Sequence, residues 1–396
     1  MLFLLCLGAA GWFAWEALRP QPKPVTHPPA KAIPVPAPVS LPKPKPIPVP
    51  VPAPIPVPAP PAPVTNALPP EPVPVVPAPA IPPHPAPTNA TPARPLPAPT
   101  PAVPLPGAEF PRPAKDGLEA QIALARLGLS PGCLDGAIGS QTRAALAALQ
   151  RRSQLPETGT LDSATRAQLT LDAPALTTYT VTDDDLARLQ PLGKTWVAKS
   201  QQTALDYETI LELVAEHAHA HPLLLRKLNP GLDWNRIAAG TAVTVPAVAY
   251  PEPPEKAAFV IIHLAGKYLE AFGTESNLLA HFPCSIAKKV EKRPVGELHV
   301  AVVIPHPNYT FDPAIFAESP EAQAIGHKLI IPPGPNNPVG VAWIGLDRPG
   351  YGMHGTPSPE QVGRTESHGC FRLANWDAEY MVKLAWIGLP VEVVEQ

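Results

Sequence analysis

Cysteine is scarce in this chain. Its four thiols, Cys6, Cys133, Cys284 and Cys370, sit far apart among 396 residues and form no C-x-x-C pair. A disulfide framework needs dense, even spacing in a short chain, and a structural zinc site needs clustered ligands, so both are excluded as organising principles. Three of the four read as small apolar fillers, with a Cys133–Cys284 pair as the lesser alternative. Charge of one sign is also missing: 30 basic against 33 acidic residues give a net charge of -3. No basic patch interleaved with aromatics occurs, so nucleic acid is set aside as a partner. Long apolar runs are absent beyond the first eighteen residues.

What is abundant is proline. Of 63 prolines, 39 lie between Pro20 and Pro113, in runs such as Pro-Val-Pro-Ala and Lys-Pro-Lys-Pro. Alternating proline fixes φ and removes backbone donors, so residues 20–114 form neither helix nor sheet. They read as a semi-rigid spacer that can extend to roughly 290 Å at about 3.1 Å per residue, or as a ligand for proline-binding modules. Before the spacer, Met1 to Leu18 are apolar except for Glu16. The run is long enough to span a bilayer, it lacks the basic opening of a cleaved signal, and Ala14-Trp15-Glu16-Ala17 is a poor cleavage site. Residues 1–19 are therefore expected to be an N-terminal transmembrane anchor or signal. The basic residues that follow it favour the opposite orientation, but the chemistry downstream argues for export to the periplasm or cell envelope.

Composition changes at Lys115. Leu118, Ile122, Leu124, Leu127 and Leu129 recur at helical spacing, Thr142 to Gln150 repeats the pattern, and Asp162 or Ser163 caps a third short helix. A three-helix bundle over 115–173 follows. Asp135-Gly136-x-x-Gly139-x-x-Thr142, then Gln150, then Thr158-Gly159-x-x-Asp162-x-x-Thr165 resembles the small peptidoglycan-binding domains, with Leu149 where that family has an aromatic residue. The resemblance implies glycan binding. Asp135, Thr142 and Thr165 also make sense as turn and cap residues alone.

Residues 174–250 read as strand, helix, helix, strand, from Tyr179-Thr-Val-Thr182 to Gly240-Thr-Ala-Val-Thr-Val-Pro246, with a helix over Tyr207 to Ala220 that continues from Leu223 to Leu228. Leu228-Asn229-Pro230 and the closing Gly-x-x-x-x-Val-Pro resemble an α+β LysM-type module, although residues 183–206 exceed a LysM loop. Glu216-His217-Ala-His219-Ala-His221 would put His217 and His221 on one helix face, a spacing zinc sites use, but H-E-x-x-H is missing. A solvated, partly capping cluster at the helix C-terminus is the expectation.

From Phe259 onward the chain alternates short apolar runs with Gly, Pro and Asn, as strands do. A mainly-β sandwich or barrel over 257–396 is expected, with one helix over Trp376 to Trp386, a short hairpin turn at Ala265-Gly266-Lys267 and a rigid loop at Gly334-Pro-Asn-Asn-Pro338. Near its end stand His354-Gly355-Thr356 and Ser367-His368-Gly369-Cys370-Phe371-Arg372-Leu373. A thiol attacks as thiolate and needs an imidazole within reach. His368 is two residues away and held by the chain, so His354, coming from the preceding strand, is assigned as general base. The N–H groups of Gly369 and Cys370 can face an oxyanion, and Arg372 can bind a carboxylate.

The pattern H-G-T followed by S-H-G-C-x-R-L closely resembles the YkuD-type L,D-transpeptidase catalytic domain. That resemblance implies Cys370 as nucleophile, His354 as base, and His368, Gly369 and Arg372 in support. It also implies that Ser367, Gly355, Thr356 and Asn336 line the substrate, and that no metal or organic cofactor is used. The expected partner is peptidoglycan, both stem peptides and glycan strands, and the expected state is a monomer. The resemblance implies cross-linking of stem peptides through a Cys370 acyl-enzyme with release of D-alanine; hydrolysis of that acyl-enzyme by an L,D-carboxypeptidase, or a non-catalytic membrane-to-wall tether, are the rival readings.

Overall fold

The computed structural model describes residues 109–316, 319–365, 367 and 369–395. The expected anchor over 1–19, Cys6 and the Pro-rich tract up to residue 108 lie outside them. Among the described residues no helix is long and apolar enough to cross a membrane. All described residues belong to one compact unit.

The three expected helices are α1 (Gly117–Arg126), α2 (Ser140–Arg152) and α3 (Ser163–Gln168). Asp116 caps α1 by accepting from Glu119 N, and Asp162 caps α3 by accepting from Thr165 N, each satisfying a donor the helix itself leaves unpaired. The expectation that residues 20–114 form neither helix nor sheet is corrected at their end: strand β1 (Arg112–Pro113) pairs antiparallel with β2 (Thr170–Leu171) and closes the bundle, an edge pair short enough to tolerate the donor that Pro113 lacks. Two buried amides explain its sequence motifs. Gln121 Nε2 donates to Asp135 Oδ1, Ala137 O and Thr142 Oγ1 at 3.0–3.1 Å. Gln150 Nε2 donates to Thr158 Oγ1, Thr160 O and Thr165 Oγ1 at 2.7–3.1 Å. The motif threonines and Asp135 thus anchor these two amides and fix the turns between the helices.

Residues 176–246 begin and end in an antiparallel pair of five rungs, β3 (Leu176–Thr180) with β4 (Ala242–Pro246). Between them lie α4 (Asp183–Ala187), α5 (Trp196–Ser200), α6 (Ile210–His217) and α7 (Pro222–Leu228). The two extra helices, α4 and α5, occupy the segment that is too long for the expected pattern. The single face expected for His217 and His221 is corrected. Thr209 starts α6 late, His219 has φ 49°, and His221 caps α7 through Nδ1 with Pro222 in its first turn. Nor is the cluster solvated: His217 packs on Tyr179, and His219 stacks on Trp376 at 4.9 Å. Ring nitrogens His217 Nε2 and His219 Nδ1 are buried without partners, and burial lowers their pKa values to about 4 and about 3.

The C-terminal part is a curled sheet of eight strands in the order β13-β12-β11-β8-β14-β5-β6-β7. These are β5 (Phe259–His263), β6 (Tyr268–Phe272), β7 (Leu278–Pro283), β8 (Gly296–Pro305), β11 (Ala342–Leu346), β12 (Gly352–His354), β13 (Phe371–Arg372) and β14 (Pro390–Val394). The expected sandwich is in fact one continuous sheet, because ten-residue β8 pairs with β14 through its first half and with β11 through its second. Only β12–β13 and β14–β5 run parallel. One core holds Ile262, Phe282, Ile344, Met353 and Phe371 together with Met381 and Leu384 of helix α9 (Asn375–Leu384). Cys284 is buried in it as a filler, and Cys133 and Cys284 are both free thiols.

One feature escaped the sequence reading: a hairpin of β9 (Tyr309–Phe311) and β10 (Leu329–Ile331), with α8 (Pro320–Ile325) between its strands. Three-residue strands next to proline and asparagine carry too little periodicity to be seen. The hairpin is held from outside by α5. Trp196 stacks on Phe311 at 4.4 Å, its backbone N–H donates to Glu321, and Leu205 completes a small core with Phe311, Ala322 and Ile331. The helical bundle is fused to the sheet as well. Gly128 and Ser130 bond to the His281 backbone, and Arg151 pairs with Glu270, which also holds His281 Nδ1 at 3.1 Å.

Trp196→Ala removes the ring that the hairpin leans on. Amide exchange in 309–311 and 329–331 is expected to accelerate about tenfold or more, with β5–β7 unchanged. Equal protection in mutant and wild type would show that the hairpin stands without α5.

Candidate active site

His354 ends β12, opposite Arg372 of β13 on one side and Trp343 of β11 on the other. The alternation of a strand puts Met353 and Phe371, both essentially inaccessible, into the core. His354 and Arg372 therefore share the other face. The Trp343 indole stacks on the imidazole at 5.7 Å, and His354 Nδ1 lies 2.6 Å from Gly355 O. A carbonyl only accepts, so this bond puts the proton on Nδ1 and leaves Nε2 with its lone pair. Burial lowers the imidazole pKa to about 4, with the Gly355 carbonyl pulling the other way and the Arg372 charge adding to the fall. The ring is thus a neutral base of fixed tautomer at physiological pH.

Cys370 follows a tight turn. Ser367 Oγ donates to Cys370 O at 2.6 Å and accepts from Gly369 N at 3.2 Å. The thiol donates to Gly350 O at 3.4 Å, not to His354. Burial pushes it up to about 11, against the opposing pull of a backbone contact at Gly352 and of the Arg372 charge. The resting pair is therefore thiol and neutral imidazole. Arg372 is pinned through its backbone to Ser285, at 2.9 and 3.1 Å. Among the described residues its guanidinium has no hydrogen bond or ion pair, so it remains available to a carboxylate or a developing anion.

Several of the residues chosen from sequence do other work. Gly369 N–H is committed to Ser367 Oγ, which leaves the Cys370 N–H as the oxyanion donor of the two. Ser367, Thr356 and Asn336 are each below 9% exposed and are bonded within the protein. Thr356 Oγ1 accepts from Ser358 N, and Asn336 Nδ2 donates to Asp206 O and Glu212, fastening the 334–338 loop to the preceding module. Gly355 has no room for a side chain, since a Cβ there would lie 2.3 Å from Asn375 Oδ1. Asn336, Gly355, Thr356 and Ser367, expected to line the substrate, thus lie packed against and bonded to neighbouring protein groups. His368 and Glu366, two residues before it, lie outside the described residues.

Three residues that sequence reasoning missed stand at the site. Tyr351 lies 3.6 Å from where a Gly369 Cβ would be, Tyr309 of the hairpin has its phenol pKa raised mainly by burial and further by nearby Cys370, and Asn375 sits beneath Gly355. Of the three, Asn375 alone lies close after the Ser367 to Leu373 motif in the chain.

Family comparison agrees with this geometry. The YkuD model, "L,D-transpeptidase catalytic domain", matches residues 257–393, and "Putative peptidoglycan binding domain" matches residues 115–169. Residues 257–393 are an L,D-transpeptidase catalytic domain. The chain is similar to "Putative L,D-transpeptidase YkuD" of Bacillus licheniformis, at 25% identity over 187 residues, covering 47% of this chain and 93% of that one. It is also similar to "Probable L,D-transpeptidase YcfS" of Escherichia coli, at 26% over 211 residues, covering 52% and 65%. A solved L,D-transpeptidase from Mycobacterium smegmatis aligns with 40% of this chain and 64% of its own, at 18% identity and a TM-score of 0.28. The chain is an L,D-transpeptidase enzyme joined to a peptidoglycan-binding domain.

A neutral resting pair has a defined pH signature. A thiol held near 11 ionises only as pH climbs toward that value, and a base held near 4 gains its proton only below it. Iodoacetamide labelling of Cys370 is expected to keep rising from pH 6 to 9 without a plateau near neutrality. Arg372→Gln, which removes the charge that lowers the thiol pKa, is expected to slow labelling at pH 8 about three- to tenfold. A plateau at neutral pH would mean a preformed thiolate and refute the neutral pair.

Proposed function

We propose that the enzyme cross-links peptidoglycan stem peptides through a Cys370 thioester. The Cys370 proton passes to His354 Nε2 as Sγ attacks the carbonyl between the third, diamino-acid residue of a stem and its terminal D-alanine. The C–N bond breaks, and D-alanine leaves with the proton that His354 returns. The side-chain amine of a neighbouring stem then attacks the thioester, gives up a proton through His354, and restores the thiol. Arg372 and the Cys370 N–H stabilise the oxyanion of both steps.

The observation that carries this reading is the bond from His354 Nδ1–H to Gly355 O. It fixes a neutral base with Nε2 open, on the strand paired with the one that Cys370 leads into. Burial holds the thiol above its ordinary value and the imidazole below its own, so proton transfer before attack is uphill and is eased by coupling to formation of the S–C bond.

The linked domain favours a polymeric substrate, because binding sites on one chain raise the local concentration at the other. In this reading the β3–β4 module is a second, LysM-like wall contact. The protein works as a monomer in the cell envelope, held to the inner membrane by residues 1–19. Incubation with purified tetrapeptide muropeptides, followed by mass spectrometry, tests the chemistry. Dimers that have lost D-alanine are expected from the wild type, and Cys370→Ala is expected to lower their yield by at least about a thousandfold. Tripeptide monomers alone would replace transfer with hydrolysis, and product unaffected by Cys370→Ala would remove the mechanism.

A further inference from the structure

The seam between the β3–β4 module and the transpeptidase domain contains an unbroken line of contacts that ends at the catalytic base. It begins at Glu216, in the last turn of α6. Asn375 Nδ2, at the first position of α9, donates to both Glu216 oxygens at 3.0 and 3.1 Å, and Tyr207 OH donates to Oε1 at 3.2 Å. Asn375 is 1% exposed. With its amide held by Glu216 and by Pro335 O at 3.1 Å, its oxygen Oδ1 faces the opposite way. There it accepts from Val341 N at 3.3 Å and lies so close to Gly355 that neither Gly355 nor Gly340 has room for a Cβ. Gly355 in turn supplies the carbonyl that fixes His354 Nδ1.

We infer that Glu216 is a positioning residue for the transfer reaction: through Asn375 it sets the Gly355 carbonyl, and hence the tautomer and aim of His354. An asparagine amide can turn over, exchanging its oxygen for its NH₂. With Glu216 as acceptor only one orientation is satisfied, because the other would face oxygen with oxygen and push NH₂ into Gly355 and Val341 N. The carboxyl itself is raised to about 8, mainly by burial. Glutamine keeps the length of this side chain and one acceptor oxygen for the Asn375 amide.

The inference rests on His354 acting as the base, and its test separates the two. In the full-length protein, Glu216→Ala is expected to lower kcat about tenfold or more with KM within twofold, since misplacing a catalytic group affects the chemical step. Iodoacetamide labelling of Cys370 at pH 8, which needs no substrate, is expected to slow in parallel. Glu216→Gln is expected to restore both to within about twofold of wild type. If the alanine variant does not fold, Glu216→Asp, one methylene shorter, is read against the same thresholds. Wild-type kcat and labelling in Glu216→Ala, or a Gln variant as slow as the Ala variant, would overturn the assignment. Loss of all Cys370-dependent product from the wild type would instead sink the function and leave the labelling comparison intact.

Discussion

Two rungs of parallel pairing, Met353 with Phe371 and His354 with Arg372, hold the base and the nucleophile's strand side by side. A pair this short has no stability of its own, so its register must be supplied from outside. Leu373 N bonds back to His354 O at 2.7 Å, Arg372 is clamped to Ser285, and Met353 and Phe371 are sealed into the core beneath. A slip of one residue would exchange the faces of the strand, bringing Phe371 to the site and Arg372 into the core. The curled sheet, the α9 helix and the 367–370 turn can all be understood as means of preventing that slip.

The accessory parts belong to the same bracing. A tethered wall-binding module would bury little against its neighbour and move freely. Here the contacts between modules are buried, polar and specific. Asp377 of α9 is wholly buried, bonded by Tyr250 OH and by Ser130 Oγ of the helical bundle, and its pKa is raised by burial to about 7. Asn336 and Asn375 reach across to Glu212 and Glu216 on one helix face, a turn apart. Buried polar groups with fixed partners specify one arrangement more strongly than apolar packing does. The geometry at His354 is thus a property of the fused body, not of residues 257–393 alone.

How much of this could be read in advance follows from where each partner sits in the chain. The pair His354 and Cys370 was legible because both lie in one short stretch and their chemistry is rare. The motif turns of the bundle were legible because their partners are local. The bonds of Asn336 were not legible because its partners, Asp206 and Glu212, come from more than a hundred residues upstream, and nothing in Gly-Pro-Asn-Asn-Pro announces them. The histidine run failed for a related reason: helical spacing alone gave His217 and His221 one face, and Pro222 with its cap at His221 broke it. The β9–β10 hairpin gave no signal because its stability is borrowed from Trp196 and Leu205.

The raised thiol and the lowered imidazole need a physical justification, since each is moved away from the value that favours an ion pair. Burial accounts for both shifts: it disfavours whichever form is charged. Thiolates are the species that oxidise and react with stray electrophiles. A protonated Cys370, bonded to Gly350 O, is protected from both in an oxidising compartment such as the cell envelope proposed above. Reactivity then appears only when an acyl donor brings an electrophilic carbonyl to Sγ, so that proton transfer to Nε2 and formation of the S–C bond lower each other's cost. Such coupling requires Nε2 to be aimed before the donor arrives, because an imidazole free to rotate or to change tautomer would lose the moment of attack. In this fold the aim is set from behind, by Trp343, by the Gly355 carbonyl, and by the asparagine and glutamate that hold that carbonyl in place.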